Sequence, residues 1–265
     1  MNLRSTVTRG QRLAWELILP IGLLVTYQLW ASANQDPYFP PIPEIVEAFE
    51  ANWLGEGFAD NVVPSLSNLF RGYFLGVALG LAGGVVLGQV AILRRAFGPV
   101  FGFLLAVPPV ALLPLFLLVL GVGSQMQVGV IVFSTGIYML TCTADGIRGV
   151  DPTLGEVSRV YGVKGARKLF LVTLPAASPQ ILAAARVSVS FAVLVMVVSE
   201  MVGASKGIGA ITLLAQQSFA YEQMWAGMVL VALLGIGLNA LFGYGERTLL
   251  SRAGLSPKLE ISGGK

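Results

Sequence analysis

The chain has 265 residues, of which 55% are hydrophobic and 12% charged, with a net charge of +3. The charged share is about half that of an ordinary soluble domain, and a mean hydropathy of +0.77 indicates more apolar surface than a water-facing fold can bury. There is no histidine and a single cysteine, Cys142, which excludes disulfide frameworks, Cys/His metal sites and histidine acid–base catalysis. Cys142 lies in an apolar stretch, where a packed thiol is expected rather than a reactive one. The small net charge is spread over several loops and does not indicate nucleic-acid binding.

Six apolar stretches approach the roughly 20 residues that a helix needs to cross the hydrocarbon core. They are Leu13–Ser32, Leu69–Ala91, Phe97–Leu120, Met126–Ile147, Ile181–Val202 and Trp225–Gly245. The third contains Pro108, Pro109 and Pro114, which lack backbone donors, so we expect a kinked or broken helix there. The sequence therefore predicts an all-α, polytopic membrane protein with six transmembrane helices.

Basic loops alternate with loops poor in basic residues along the whole chain. The basic segments contain Arg4, Arg9 and Arg12; Arg94 and Arg95; Arg148, Arg159, Lys164, Arg167 and Lys168; and Arg247, Arg252, Lys258 and Lys265. Residues 34–66 instead contain several carboxylates and no lysine or arginine. By the positive-inside rule, both termini and the 148–175 loop are cytoplasmic. We predict a cytoplasmic tail at 1–12, a six-helix transmembrane domain at 13–250 and a second cytoplasmic tail at 251–265.

The N-terminus also has an alternative interpretation. Its arginines, its apolar run and Ala31-Ser32-Ala33 are similar to a signal peptide with a cleavage site. The run is long for a signal core, and a polytopic protein needs a first span to set its topology, so a retained helix is favoured.

The second stretch carries a glycine at every fourth position: Gly72, Gly76, Gly80, Gly84 and Gly88. At this spacing the glycines form one helix face that another backbone can approach closely. Packing within the chain is the favoured interpretation, and self-association through this face is the alternative.

The apolar stretches contain charged residues, among them Glu16, Arg71, Arg186 and Glu200. A charge there is costly unless it is paired, snorkels to the interface or faces water. Glu16 is near the cytoplasmic edge, where snorkelling is expected. Arg71 and Glu200 have opposite signs at matching depth, so they either form a pair near the outer gate or reach interfacial water separately. Arg186 is placed to contact either the 156–175 segment or a neighbouring helix.

The segment from Glu156 to Pro175 is charged and amphipathic and lies between two strongly apolar stretches. Gly162 interrupts its helical pattern and Pro175 closes it, which predicts two short helices with a bend. Gly162 permits a bend that a side chain would obstruct if its φ is positive. Glu156 is placed in the first turn of the first helix, where the positive end of the helix dipole stabilises a carboxylate. A stiff, charged element at a membrane face is suited to receive force from a soluble partner.

This segment resembles the Glu-Ala-Ala loop of importer-type ATP-binding-cassette permeases. Glu156, Gly162, Val172, Leu174 and Pro175 fall on the spacing of that loop, with Val157 and Ser158 where the two alanines usually stand. The resemblance implies that these five residues form the ATPase-coupling loop of a type I importer permease.

The resemblance extends over most of the chain and is closest to the nitrate/sulfonate/taurine/bicarbonate subgroup. The segments that carry it are Phe39–Pro43, Val107–Pro114 and Ser199–Gly209. Span four departs from the pattern, because Ser134-Thr135-Gly136 stands where such permeases commonly carry a phenylalanine–proline step, which leaves substrate preference open.

The resemblance implies a prokaryotic inner-membrane complex. It contains two permease subunits, identical or homologous, two cytoplasmic ATPases that bind the ATP, and an external substrate-binding protein. The cargo is expected to be a small solute such as nitrate, taurine or an alkanesulfonate, which crosses between the permeases by alternating access. The permease itself is expected to be non-catalytic, since it lacks a Gly-x-x-x-x-Gly-Lys-Ser/Thr loop and needs no cofactor of its own.

Two other function classes were weighed. A secondary carrier or channel would move solute without an ATPase, but such carriers usually show two comparable inverted halves, and no convincing internal repeat is found. A membrane enzyme is disfavoured because the chain has no histidine and no clustered acids within its spans.

Overall fold

The computed structural model describes residues 9–55 and 57–252, with side chains from Ile18 to Ser251 within those ranges. These residues are helical and contain no β-strand. The helices are α1 (Arg9–Asn34), α2 (Ile42–Trp53), α3 (Val63–Gln89), α4 (Ala91–Ala106), α5 (Leu113–Leu120), α6 (Ser124–Arg148), α7 (Pro152–Val160), α8 (Gly165–Lys168), α9 (Leu174–Gly203), α10 (Ile208–Gln217) and α11 (Tyr221–Arg252). Single π-helical turns, Phe58–Val62 and Leu169–Thr173, precede α3 and α9.

Four continuous helices are long and apolar enough to cross a membrane. They are Phe58–Gln89, Ser124–Arg148, Gly165–Gly203 and Tyr221–Ser251, and the bent pair Ala91–Ala106 and Pro109–Leu120 makes a fifth if it forms one span. The predicted first span lies within α1, whose side chains are described only from Ile18. The six-span count and the cytoplasmic termini therefore stay predictions. The residues at 1–8 and 253–265 and the Glu16 side chain lie outside what the structure describes.

The predicted break in the third span is confirmed. Helix α4 ends at Ala106, and Val107 and Pro108 are extended. The helix that follows, a 3-10 turn at Pro109–Leu112 continued by α5, is bent by 93° from α4. Prolines cause this break because they lack an N–H and disfavour helical geometry in the preceding residue. The span begins earlier than predicted, since only Val90 separates α3 from α4 and Arg94 and Arg95 lie in α4.

Helices α3 and α6 pack together through the glycine face. A Cβ on Gly72 would lie 2.7 Å from the Ile131 side chain, and one on Gly80 would lie 2.5 Å from the Gly136 carbonyl oxygen. Only glycine permits this approach of the two backbones. The interpretation of the glycine face as an intramolecular packing surface is confirmed.

Gly80→Ala is expected to lower the thermal unfolding midpoint of the detergent-purified protein. The new methyl group would overlap the Gly136 carbonyl and the Met139 side chain, and overpacking of this kind costs about 1–3 kcal/mol. Gly237→Ala is the matched control, because a Cβ at this helical glycine meets no atom within 4 Å. Equal midpoints for the two variants would contradict the packing account.

Helix α10 was missed by the sequence analysis. It follows the fifth span and packs between α9 and α11, burying Ile208, Gly209, Thr212 and Ala215. Its ten residues are too few to cross the membrane, so a search for spans passes over it.

Candidate functional site

The segment after α6 begins with a capped helix. The Asp151 carboxylate accepts a hydrogen bond of 2.8 Å from the Thr153 N–H, and Pro152 follows at the first helical position. This is the usual chemistry of a helix start. The bonds from Thr153 also lower the pKa of Asp151 below its ordinary value, because they favour the ionised carboxylate.

Gly162 terminates α7 in a left-handed conformation, with φ of +69°. The Gly162 N–H donates to the Arg159 carbonyl at 3.1 Å, and the Val163 N–H donates to the Ser158 carbonyl at 2.8 Å. These two bonds form a Schellman motif, in which glycine is the favoured residue. The predicted bend at Gly162 is confirmed.

Glu156 lies at the fifth position of α7 rather than in its first turn, which corrects the sequence prediction. The N-cap position belongs to Asp151, five residues earlier. The Glu156 side chain is exposed, and it takes part in none of the ion pairs among the described residues. Its carboxylate is therefore accessible to a partner.

Pro175 does not end a helix. The chain from Gly165 to Gly203 forms one continuous helix of 39 residues, and Pro175 lies in the first turn of α9. The π-helical turn before it places the Leu174 N–H on the Leu169 carbonyl, and this wider turn accommodates a proline that has no N–H to contribute. The predicted coupling loop thus leads directly into the fifth span, with Val172 and Leu174 half-buried and Pro175 exposed.

Five large apolar side chains between Glu156 and Pro175 are exposed, and we call them the coupling surface. They are Val157, Val160, Tyr161, Phe170 and Leu171. Val160 and Tyr161 are 86% and 79% exposed, and Arg159, Lys164 and Arg167 are exposed among them. An exposed apolar patch with a charged rim is typical of a protein-docking surface.

A cavity of about 330 Å³ lies beneath the 148–175 loop, which we call the coupling segment. Its walls come from the end of α3 (Gln89), the end of α6 (Ile147), α7 (Leu154) and the start of the long helix (Lys168, Val172). The segment is therefore incompletely packed against the bundle, which leaves room for it to shift.

At the far end of the long helix, Glu200 is 1% exposed and caps α10. Its Oε2 accepts a hydrogen bond of 2.8 Å from the Gly209 N–H. The two preceding N–H groups also bond to side chains: Gly207 donates to Asn61 Oδ1 at 3.2 Å and Ile208 to Ser65 Oγ at 3.0 Å. Three successive backbone N–H groups at the start of α10 thus donate to side chains of α9 and of the first turns of the second span. The positive end of the α10 helix dipole also stabilises a carboxylate at this position.

Glycines make this cap possible. Gly207 has φ of +123°, and a Cβ there would lie 2.7 Å from the Glu200 carboxyl carbon. A Cβ on Gly209 would collide with the Val197 carbonyl oxygen. The Gly-Ile-Gly sequence after the fifth span could have indicated a tight turn at this position. Nothing in the sequence indicated that Asn61 and Ser65 take part in the cap.

The structure does not bring Arg71 and Glu200 together. Arg71 is exposed on α3, and the ion pairs among the described residues join Arg148 to Asp145, Arg186 to Glu246, and Lys206 to Asp60. The Glu200 carboxylate instead accepts the Gly209 N–H, so this buried carboxylate has a hydrogen-bond partner that carries no charge. The helix cap thus replaces the predicted outer-gate pair.

Arg186 contacts a neighbouring helix, one of its two predicted alternatives. Its Nε donates to Asn239 Oδ1 at 2.9 Å, and one guanidinium nitrogen lies 3.5 Å from the Glu246 carboxylate. A Cβ on Gly243 would lie 3.0 Å from the guanidinium carbon, so glycine makes room for the arginine. These contacts join α9 to α11.

The described residues contain no group of His, Cys, Asp and Glu side chains that could hold a metal ion.

Comparison with known proteins agrees with this architecture. Residues 72–251 match the family described as binding-protein-dependent transport system inner membrane component. The chain is 30% identical over 236 residues to the putative aliphatic sulfonates transport permease SsuC of Bacillus subtilis, covering 88% of this chain and 86% of that protein. It is 31% identical over 207 residues to the nitrate import permease NrtB of Synechococcus elongatus, covering 74% of each.

The fold is similar to that of a chain in inward-facing structures of the MetNI methionine ABC transporter. The TM-score is 0.62 at 21% sequence identity, and the match covers 73% of this chain and 94% of that one. The family match spans α7, the long helix and α10. The chain therefore belongs to the binding-protein-dependent transport system inner membrane component family and is a multi-pass permease of the ABC importer type.

Proposed function

We propose that the chain forms, with a second permease copy or a homologous permease, the pathway of an ATP-driven importer for a small oxyanion or organic sulfonate. Nitrate, taurine and alkanesulfonates are the candidate cargoes. One of the two relatives described above is a nitrate import permease and the other a putative aliphatic sulfonates transport permease, which supports this class. An external binding protein delivers the solute, and a separate cytoplasmic ATPase binds and hydrolyses ATP.

The observation that carries the proposal is the continuous helix from Gly165 to Gly203. At about 1.5 Å per residue such a helix is long enough to cross the bilayer and extend beyond it. One end belongs to the exposed coupling segment, and the other end holds α10 through Glu200. A force applied by the ATPase to the coupling surface therefore has a stiff route to the opposite end of the bundle.

In this proposal Glu156, Gly162, Val172, Leu174 and Pro175 have distinct roles in coupling. Glu156 presents a charge to the ATPase, and Gly162 sets the angle between α7 and the long helix. Val172, Leu174 and Pro175 join the docking segment to α9. The 148–175 segment and both tails, 1–12 and 251–265, face the cytoplasm, and membrane lipid surrounds the 13–250 domain.

Reconstitution tests this function. The permease is co-purified with its partner ATPase and placed in liposomes that contain ATP. The binding protein is added outside with radiolabelled taurine, an alkanesulfonate or nitrate. We expect uptake of at least one cargo that requires both ATP and the binding protein. Liposomes without ATP and liposomes without the binding protein are the controls. Uptake driven by an ion gradient alone would instead identify a secondary carrier.

A further inference from the structure

Three aromatic side chains form an exposed surface at the end of the bundle opposite the coupling surface. We call Tyr38, Phe219 and Tyr221 the aromatic shelf. The Tyr38 and Tyr221 ring centroids are 4.7 Å apart, and those of Phe219 and Tyr221 are 6.2 Å apart. Tyr38 is 57% exposed and Phe219 is 74% exposed. Because α11 begins just after α10, the shelf lies at the Glu200 end of the long helix.

The Tyr38 side of the shelf is held rigidly. The Trp225 Nε1–H donates to the Tyr38 carbonyl at 2.9 Å, and the Tyr27 hydroxyl donates to the Pro40 carbonyl at 2.8 Å. Gln28 Oε1 accepts from the Ile42 N–H at 2.7 Å. These bonds attach the proline-rich turn to α1 and α11. A surface that is ordered beforehand loses little conformational entropy when a partner binds.

Phe219 adopts a conformation that is costly for a side chain of its kind. Its φ is +61°, and it ends α10 at the position where glycine is usual, with the Ala220 N–H bonded to the Ala215 carbonyl at 2.9 Å. The conformation directs an exposed ring outward although a glycine would close the same turn without strain. Strain retained at an exposed position indicates use of the side chain itself.

Negative charge lies beside the shelf. A cleft of about 400 Å³ is lined by the carboxylates of Asp36, Glu44 and Glu222. Residues 34–66 contain no lysine or arginine, and Lys206, the basic residue of the loop before α10, is already 3.5 Å from Asp60. Arginine is the side chain that both stacks on aromatic faces and pairs with carboxylates. The combination is complementary to a basic, arginine-bearing protein surface.

We propose that the aromatic shelf and its acidic cleft are the docking surface for the external binding protein, which contacts them through arginine and lysine side chains. This inference rests on the proposed function, because it names the surface that receives the binding protein. The rival occupant is the lipid headgroup layer, where aromatic side chains are also enriched.

The test uses the permease–ATPase complex in nanodiscs, titrated with the purified binding protein that supports uptake in the reconstitution. The measured quantity is the binding-protein concentration that half-maximally stimulates ATP hydrolysis. Phe219→Gly removes the ring without straining the turn, and a triple Asp36→Asn, Glu44→Gln, Glu222→Gln variant removes the charge. Each is expected to raise that concentration roughly tenfold with the maximal rate unchanged, and the triple variant should weaken its dependence on salt.

Glu47→Gln with Glu50→Gln is the matched control, because these exposed carboxylates lie on α2 outside the cleft. If wild type is stimulated and Phe219→Gly and the triple variant match it, the docking proposal is overturned and the headgroup role is favoured. If wild-type complex is not stimulated at all, the proposed function fails together with it.

Discussion

Replacing Gly162 by leucine is expected to abolish uptake while leaving the permease in the membrane. The φ of +69° costs a residue with a Cβ about 1–2 kcal/mol. A Cβ at Gly162 meets no atom within 4 Å, so the effect comes from the backbone and not from a steric clash in the core. Relief of the strain reorients the end of α7 and displaces Val160 and Tyr161 from the coupling surface.

Gly55→Leu is the matched control for this variant. Gly55 also has a left-handed φ, +82°, and open space around its Cβ position, but it lies between α2 and the second span, far along the chain from the coupling segment. Both variants should insert and purify alike, and Gly162→Leu alone should lose ATPase co-purification and uptake. Normal uptake by the Gly162→Leu protein would defeat the coupling role, and its loss from the membrane would assign Gly162 a folding role.

Glu156→Lys extends the same test to charge. Because Glu156 is exposed and forms no ion pair among the described residues, its reversal is expected to leave stability within about 0.5 kcal/mol of wild type. Uptake should nevertheless fall sharply if the carboxylate meets a basic group of the ATPase. Glu47→Lys, a reversal on α2, controls for the change of net charge.

Glu200→Ala is expected to destabilise the permease and to suppress transport. The change leaves the buried Gly209 N–H without its acceptor, at a cost of about 1–3 kcal/mol, and opens a cavity beneath α10. Glu200→Gln keeps an oxygen acceptor and should lose less. The thermal unfolding midpoint and ATP-driven uptake are the measurements.

Double-mutant cycles distinguish two roles of Glu200, the cap of α10 and an ion pair with Arg71. With Glu200 bonded to α10, Glu200→Ala and Arg71→Ala should add to within about 0.5 kcal/mol, since the two side chains share no contact. Glu200→Ala and Ser65→Ala should not add, because both side chains hold the start of α10. Strong coupling between Arg71 and Glu200 would restore the ion-pair interpretation.

Gly209→Val provides an independent check on the same cap. The valine side chain would collide with the Val197 carbonyl oxygen, so α10 would move away from α9 even though Glu200 is intact. We expect a loss of stability at least as large as that of Glu200→Ala. A stable, active Gly209→Val protein would show that α10 need not be docked against α9.

Features that depend on neighbouring residues were predictable from the sequence. The break near Pro108 follows from missing donors, and the bend at Gly162 follows from a glycine between two amphipathic stretches. The glycine face of α3 follows from the four-residue glycine period, although the sequence does not show that α6 packs against it. In each case the physical cause lies within one continuous segment, so it leaves a local pattern.

Features that depend on which helices meet were decided only by the tertiary structure. Gly207 donates to Asn61, 146 residues away in the chain, and Arg186 meets Asn239, 53 residues away. Charge and depth in the membrane suggested Arg71 as the partner of Glu200, but the group that bonds to Glu200 is the backbone N–H of Gly209 in α10, and a backbone group has no charge by which it could be matched to the carboxylate. The continuity of the helix through Pro175 was likewise hidden, because it depends on the π-helical turn before that proline. The sequence by itself determined the membrane class, the glycine face and the bends. The packing of distant helices decided the partners of the buried charges, because a buried polar group bonds to whichever partner the fold brings to it.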